Sequence, residues 1–325
     1  MPPDASAQPP LVSVIVMTYR QAAFIEETLE TVLAQTYSPM EVLVWDDHSP
    51  DDTWDIIERI AAAYSGPHTL RIHRQPENLG GVGNALSAVA ACRGALLVQS
   101  HGDDLPYPDR VARIVDLWQR TGASMITHDV HLYEDGQVGE RQVASLPHYV
   151  PGDRQLTAEQ LAARSFIPEM QGATMAFERT VFDSFEPWDN DKLSVFGPGD
   201  NILPFRAALL GGLWYLDAPL TRWRQHENQV TKQMLQVSYT EQPVDVARGR
   251  ETIYAFFITA LLQRIRDLQH RMSQVSQPER PTLQKLLQQT LRTLIQTTGH
   301  WSGSRDILHA SPLTLQWPER GGGAA

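Results

Sequence analysis

Val98-Gln99-Ser100-His101-Gly102-Asp103-Asp104 closes an apolar run that begins at Ala95, and a proline-containing turn and a helix-like segment follow it. The run has the length and composition of a buried strand, so it delivers two adjacent carboxylates to a strand end. Neighbouring carboxylates repel and desolvate poorly, and a cation neutralises them best. A hard divalent ion carrying a phosphate-bearing ligand is the natural occupant. The alternative is a solvated turn before Pro106.

Around this stretch the chain alternates regularly. Leu11–Met17 reads as a β-branched strand. Ala22–Gln35 carries Ile25, Leu29, Val32 and Leu33 at helical spacing. Glu41–Trp45 is a second strand, followed by Ser49-Pro50-Asp51-Asp52, which reads as a helix start with Ser49 as N-cap. Leu70–His73, Ala95–Gln99 and Ser124–His128 are further strands. Glycine-rich Asn78–Gly83 opens a helix that ends near Arg93-Gly94, and Pro108–Arg120 forms another. Such alternation predicts an α/β fold with a mixed, mainly parallel sheet, whose ligands bind outside the carboxyl ends of the strands. Thr18-Tyr19, Asp46-Asp47 and Asp103-Asp104 all fall at those ends.

Beyond His128 the pattern loosens. A hairpin is expected around Glu134-Asp135-Gly136, a strand over Gln171–Phe177 and a short helix over Arg179–Ser184. A helix is expected from Gly199-Asp200 through Leu210, then a strand over Leu213–Leu216 and a polar aromatic segment over Pro219–His226. From about Val244 the composition turns to Gln, Leu and Arg. Ile253, Phe257, Leu261, Ile265, Leu268 and Met272 trace one helical face. Leu283, Leu287, Leu291 and Leu294 trace another, opened by Pro281 and closed by Gly299. This is a C-terminal helical hairpin, expected to pack on the α/β part or to associate with a second copy. The organisation read is a disordered arm over 1–10, an α/β domain over 11–238, a helical extension over 239–300 and a tail over 301–325.

Composition narrows the function. The 325 residues are 42% hydrophobic and 20% charged, an ordinary globular balance, and the net charge of −11 argues against a nucleic-acid partner. The single cysteine, Cys92, suits a reducing compartment and reads as inert packing. No signal-peptide pattern opens the chain, and the Tyr254–Leu262 run is too short to cross a bilayer. The expectation is a cytoplasmic protein with candidate peripheral contact at the inner face of a membrane.

The ordered set VSVIVMTYRQ, EVLVWDDHSPDDT, ENLGGVGNAL, SHGDDLPYPDR, PGDNILPFRAALLGG and RWRQH resembles the family-2 glycosyltransferases, over roughly Leu11 to Thr231. The resemblance implies the GT-A fold and an inverting transfer of a sugar from a nucleoside-diphosphate donor, UDP or dTDP favoured, to a hydroxyl on a saccharide or lipid-linked acceptor. It implies a divalent metal, Mn2+ or Mg2+, and by analogy a place in cell-envelope glycan or polysaccharide assembly. Asp200 matches the family's catalytic base, and helix capping is its alternative role. Thr18, Tyr19 and Asp47 match the base-binding positions, with Asp46, Asn84 and Arg224 read as further nucleotide contacts. Asp46 alternatively supports its turn. Asp103 matches the last acid of the metal motif, and His226 the late histidine that completes the metal site. His101 stands where that motif usually has its first Asp, so His101, Gly102 and Asp104 are read as donor-sugar or supporting residues. Gly83 stands where the family often has Arg. Gln171, Gly172 and Trp188 are read on the acceptor side. Two other readings stay open: a catalytically impaired nucleotide-sugar-binding protein of the same fold, and an NAD(P)-dependent oxidoreductase built on Gly81-Val82-Gly83. A nucleotidyltransferase would need a basic glycine-rich loop after the first strand, where Thr18-Tyr19-Arg20-Gln21 stands.

Overall fold

The computed structural model describes residues 8–144, 149–164, 171–186, 199–227, 229 and 243–309, of which 243–256 and 299–309 are described as backbone. The alternation read from the sequence folds as β1 (Val12–Thr18), α1 (Ile25–Leu33), β2 (Met40–Asp46), α2 (Thr53–Ala63), β3 (Thr69–Arg74), α3 (Gly80–Ala91), β4 (Leu96–His101), β5 (Leu105–Pro106), α4 (Arg110–Thr121) and β6 (Met125–Glu134). There follow β7 (Gln137–Arg141), β8 (Arg154–Gln155), α5 (Ala158–Ala162), a 3-10 turn (Gly172–Thr174), β9 (Ala176–Phe177), α6 (Thr180–Asp183), α7 (Gly199–Leu209) and β10 (Leu213–Arg224). Two long helices, α8 (Pro243–Gln274) and α9 (Arg280–His309), end the described chain.

One sheet runs in the order β3-β2-β1-β4-β9-β6-β10-β5, with β7 on β6 and β8 on β10. The first four strands are mutually parallel, as are β6 and β10, whereas β9 and β5 run antiparallel. Strand side chains alternate between faces, and both faces are covered. Val12, Val14, Val16, Val42, Val44 and Val98 meet α1, α2 and α4 on one side. Ile15, Leu43, Trp45 and Leu97 lie in the second core with residues of α3, α5, α7, α8 and α9. Burial on both sides explains why these strands read as continuous apolar runs.

Four local expectations are corrected. Helix α2 starts at Thr53, not at Ser49, whose hydroxyl donates instead to Asp46 Oδ1 at 2.5 Å. Gln171–Phe177 is a 3-10 turn and a two-residue strand, because Gly172 packs against His101 and breaks the extension. Leu213–Leu216 and Pro219–His226 merge into the single strand β10, which absorbs Pro219 through register shifts on either side of it. Helix α9 continues past Gly299 to His309. Its buried face follows the expected leucine stripe only in part: Leu283 is buried and Leu287 packs on the core, but Leu291 is 39% exposed, and Leu286, Thr290, Thr293 and Thr297 point inward instead. The threonines tolerate burial because their hydroxyls reach carbonyls, Thr293 Oγ1 donating to Ala162 O at 2.7 Å.

The helical pair docks on the sheet domain through buried cations. Arg206 of α7 donates from Nε and Nη2 to the two oxygens of Asp267 of α8, both at 2.9 Å, with both residues almost fully buried. Arg264 of α8 donates to the carbonyls of Asn201, Leu161 and Arg164, and its burial pulls its pKa down to about 10. Removing one partner of a buried pair strands the other charge. Asp267→Ala is therefore expected to destabilise the protein by about 3–5 kcal/mol in urea unfolding, and Arg206→Met/Asp267→Leu to recover most of that loss.

Candidate functional site

Strands β2, β1 and β4 lie side by side and parallel, so their carboxyl ends form one rim. Thr18 is buried at the end of β1, its Oγ1 without a partner among the described residues, and its carbonyl accepts from the Asp47 amide at 3.0 Å. Tyr19 stands 42% exposed beside it, with the Arg20 guanidinium 5.6 Å from its ring centroid. Asp47 is buried and accepts the Leu79 amide at 2.7 Å. Burial pushes its carboxyl up, against the pull of the Leu79 and Gly80 amides. Asp46 turns inward and braces the turn after β2: it accepts the Ser49 amide at 2.9 Å and lies 3.6 Å from Arg74. Asn84 is also engaged within the protein, donating to Trp45 O at 3.0 Å and accepting from Gln75 at 3.1 Å. Gly81-Val82-Gly83 lies in the first turn of α3, after the edge strand β3.

The carboxylate turn after β4 is held from three directions. A Cβ on Gly102 would stand 2.9 Å from Thr18 Cβ and Oγ1 and would also meet Gln21 Oε1, so only glycine lets β4 pass β1 here. Arg224, at the end of β10, donates from Nε to Asp103 O at 2.8 Å, from its amide to Asp104 Oδ1 at 3.1 Å and from Nη2 to Glu27 of α1. Its guanidinium lies 5.1 Å from the ring centroids of both Phe24 and Tyr133. Arg224 is thus a strap across the turn. His226 Nε2 lies 3.1 Å from Asp103 Oδ2, and its ring stacks at 4.4 Å on Phe24.

The electrostatics separate the two acids. Burial pushes Asp103 up, but the His226 hydrogen bond and the charges of His101 and His226 outweigh it and hold the carboxyl below its ordinary value. Asp104 is 1% exposed, and burial followed by the Asp103 charge drives its pKa far up. Its Oδ2 has no hydrogen-bond partner among the described residues and lies 3.9 Å from His101 Nδ1. One ligand atom from each of His101, Asp103 and Asp104 falls within 4.8 Å of the others, a group that could hold a metal ion. An orphaned buried carboxylate oxygen in such a group fits a cation.

Asp200 approaches from the other side. It sits in the first turn of α7, and its Oδ2 accepts the Gly172 amide at 3.2 Å. Burial raises its pKa, with His101 and the Gly172 amide opposing. Gly172 in turn covers His101: a Cβ there would be 2.8 Å from His101 Cε1. Gln171 has its Oε1 buried without a partner among the described residues. His101 therefore sits between the carboxylate turn and Asp200, and Trp188 lies outside the described residues. Sequence reasoning missed Arg110, fully buried at the start of α4, which donates to Gln99 O and Ala173 O, both at 2.7 Å, and to His128 Nε2 at 2.9 Å. It joins β4 to the Gly172 turn. A lone arginine opening a helix carries no sequence signal for such a role.

The family description "Glycosyl transferase family 2" matches residues 13–184. An uncharacterized glycosyltransferase of Nostoc sp. is 25% identical over 216 residues, covering 66% of this chain and 65% of the relative, so the chain spans about two thirds of that relative's length. Among solved structures, S. aureus TarS residues 1-349 in complex with UDP-GlcNAc superposes with a TM-score of 0.52 at 15% identity, covering 92% of this chain and 90% of that one. The mannosyltransferase PcManGT of Pyrobaculum calidifontis, in complex with GDP-Man and Mn2+, also gives 0.52, at 17% identity, covering 92% and 87%. At these identities the likeness establishes the fold: the open, mostly parallel sheet is that of the GT-A glycosyltransferases. The close approach at the rim yields a direct check. Gly102→Ala should destabilise the protein by about 1–3 kcal/mol in urea unfolding, and adding Gln21→Ala should not restore it, since the Thr18 Cβ clash persists.

Proposed function

The chain belongs to glycosyl transferase family 2, and on that premise we propose that it transfers a sugar from a nucleoside-diphosphate donor to a hydroxyl acceptor by a single inverting displacement. The observation that carries this reading is the meeting of two groups at one rim. The β1, β2 and β4 ends contribute Thr18, Asp47, Asp103 and Asp104, and α7 contributes Asp200, which is bonded to the Gly172 amide and feels the charge of His101.

Each residue has a task its chemistry suits. Tyr19 offers an exposed ring to stack on a base, and Thr18 and Asp47 supply a hydroxyl and a carboxylate for its polar edge. Asp103, with Asp104, His101 and His226, would hold a divalent ion. Such an ion, when bound, neutralises the diphosphate and eases its departure. Asp200 takes the acceptor proton as the hydroxyl attacks the anomeric carbon from the face opposite the leaving group, and such a base contributes about 10²–10⁴-fold. The Gly172 amide fixes one of its oxygens. Supporting a uridine or guanosine donor are the UDP-GlcNAc and GDP-Man held by the structural neighbours, and supporting Mn2+ is its presence in the second. By analogy the product is a cell-envelope glycan or polysaccharide built on a saccharide or lipid-linked acceptor. Among the described residues no helix is long and apolar enough to cross a membrane, and contact is read as peripheral.

A panel of UDP-, GDP- and dTDP-sugars with Mn2+ or Mg2+ tests the reading through ligand-induced stabilisation and release of nucleoside diphosphate. A panel in which no donor stabilises or reacts removes it. Asp200→Asn should keep donor affinity and lose about 10²–10⁴ in turnover; wild-type rates would remove Asp200 from the role. Burial raises the Asp200 pKa and the base works only when deprotonated, so kcat/KM should fall with decreasing pH through a value above that of an ordinary Asp. Asp103→Ala should abolish metal-dependent donor binding in a calorimetric titration.

A further inference from the structure

We propose that Arg264, on the C-terminal helix α8, is a positioning residue for Asp200: its guanidinium fixes the turn that carries this carboxylate relative to the segment that leads to Gly172. The proposal rests on the preceding reading for the task of Asp200, whereas the placement stands on geometry. Helices α8 and α9 lie beyond the residues that the family description matches, so this support comes from a part of the chain outside the match.

The sequence of α7 shows why its first turn needs an outside bond. Pro204 lies inside the helix. It has no N–H, so the Asp200 carbonyl receives no amide from four residues on, and the ring crowds that same carbonyl. Arg264 bonds to the next carbonyl along. Its Nε donates to Asn201 O at 3.1 Å, and its Nη2 lies 3.5 Å from Asn201 Oδ1. From the other side of the same group, Nη1 donates to Leu161 O at 3.1 Å and to Arg164 O at 2.8 Å. Leu161 and Arg164 stand at the end of α5, on the stretch of chain that precedes Gly172.

One planar group therefore spans both parties to the contact between the Gly172 amide and Asp200 Oδ2, 3.2 Å long. Arg264 is fully buried, its guanidinium 5.3 Å from the Phe205 ring centroid. A buried cation is an expensive way to fill space. What it adds over an apolar side chain is a rigid fork of donors that sets the separation of three backbone segments, which a lysine, acting as a point charge, does not reproduce. The Arg206–Asp267 pair joins the same two helices farther along and bonds to neither Asp200 nor Asn201. It supplies docking without positioning, and so serves as the control.

The test follows hydrogen exchange of the Gly172 amide by NMR in the full-length protein, together with donor affinity and release of nucleoside diphosphate for the nucleotide sugars of the panel above. Arg264→Met should speed Gly172 exchange about 10-fold or more and lower kcat about 10–100-fold, with the donor Kd unchanged. Arg264→Lys should fall between Arg264→Met and the wild type and guards against a misfolded methionine variant, the fold of each being checked by circular dichroism. Arg206→Met/Asp267→Leu should keep wild-type exchange and turnover. Unchanged Gly172 exchange in both Arg264 variants overturns the proposal, as does equal acceleration in Arg206→Met/Asp267→Leu, which would mark a docking effect only. The exchange measurements need no donor. The expected exchange pattern with a donor panel that fails removes the glycosyl-transfer reading alone, and donors that turn over at wild-type rates in Arg264→Met remove this proposal alone.

Discussion

Asp103 and Asp104 are consecutive acids with little access to water, and everything around them answers the cost of that placement. His226 and His101 hold the first ionised, whereas the second is driven toward its neutral form by burial and by its neighbour's charge. Arg224 binds the Asp103 carbonyl and the Asp104 carboxylate at once. Arg110 lies behind, fully buried, adding positive potential to Asp104 while its own donors join β4 to the Gly172 turn. A pair of acids so surrounded is poised to accept charge from outside.

That electrostatic knot also explains why the halves of the rim stay in register. Arg224 belongs to β10, Arg110 to α4, and Gly172 to the 3-10 turn before β9. The two arginines bond to the segment around β4, and Gly172 packs against His101 at its end. The Thr18–Asp47 side and the Asp200 side of the rim are therefore tied to one element, and His101 stands at their junction.

The first half of the fold was legible because burial on both faces writes itself as apolar runs and helical spacing. β1 to β4 and α1 to α4 fall within a few residues of their expected bounds. The second half was harder, for physical reasons. Pro219 reads as a strand breaker, yet a bulge lets β10 carry it. Gly172 reads as one more residue in an extended run, yet its lack of a side chain is what His101 packs against. In α9 leucine spacing suggests the inward face, yet threonines with satisfied hydroxyls share that face with Leu283 and Leu286. Of the candidate site, the strand-end acids were singled out by type and position, and Asp200 by the family resemblance alone. Arg110 was not, since its meaning lies in contacts across 11 to 63 residues, and of the two readings of Asp46 it is the bracing of its turn that the contacts with Ser49 support.

The buried charged groups of the helical pair, Arg264 and Asp267, reach further than their local bonds. Arg264 holds the carbonyl of Asn201, next to Asp200, and Asp267 balances Arg206 in the same helix. Helices α8 and α9 are therefore an inseparable wall of the domain they lean on. Recombining this domain with a foreign C-terminal partner would have to supply an acid and a guanidinium at those two places. Descent can reshape the outward face of the pair freely, but it inherits the inward one together with the site.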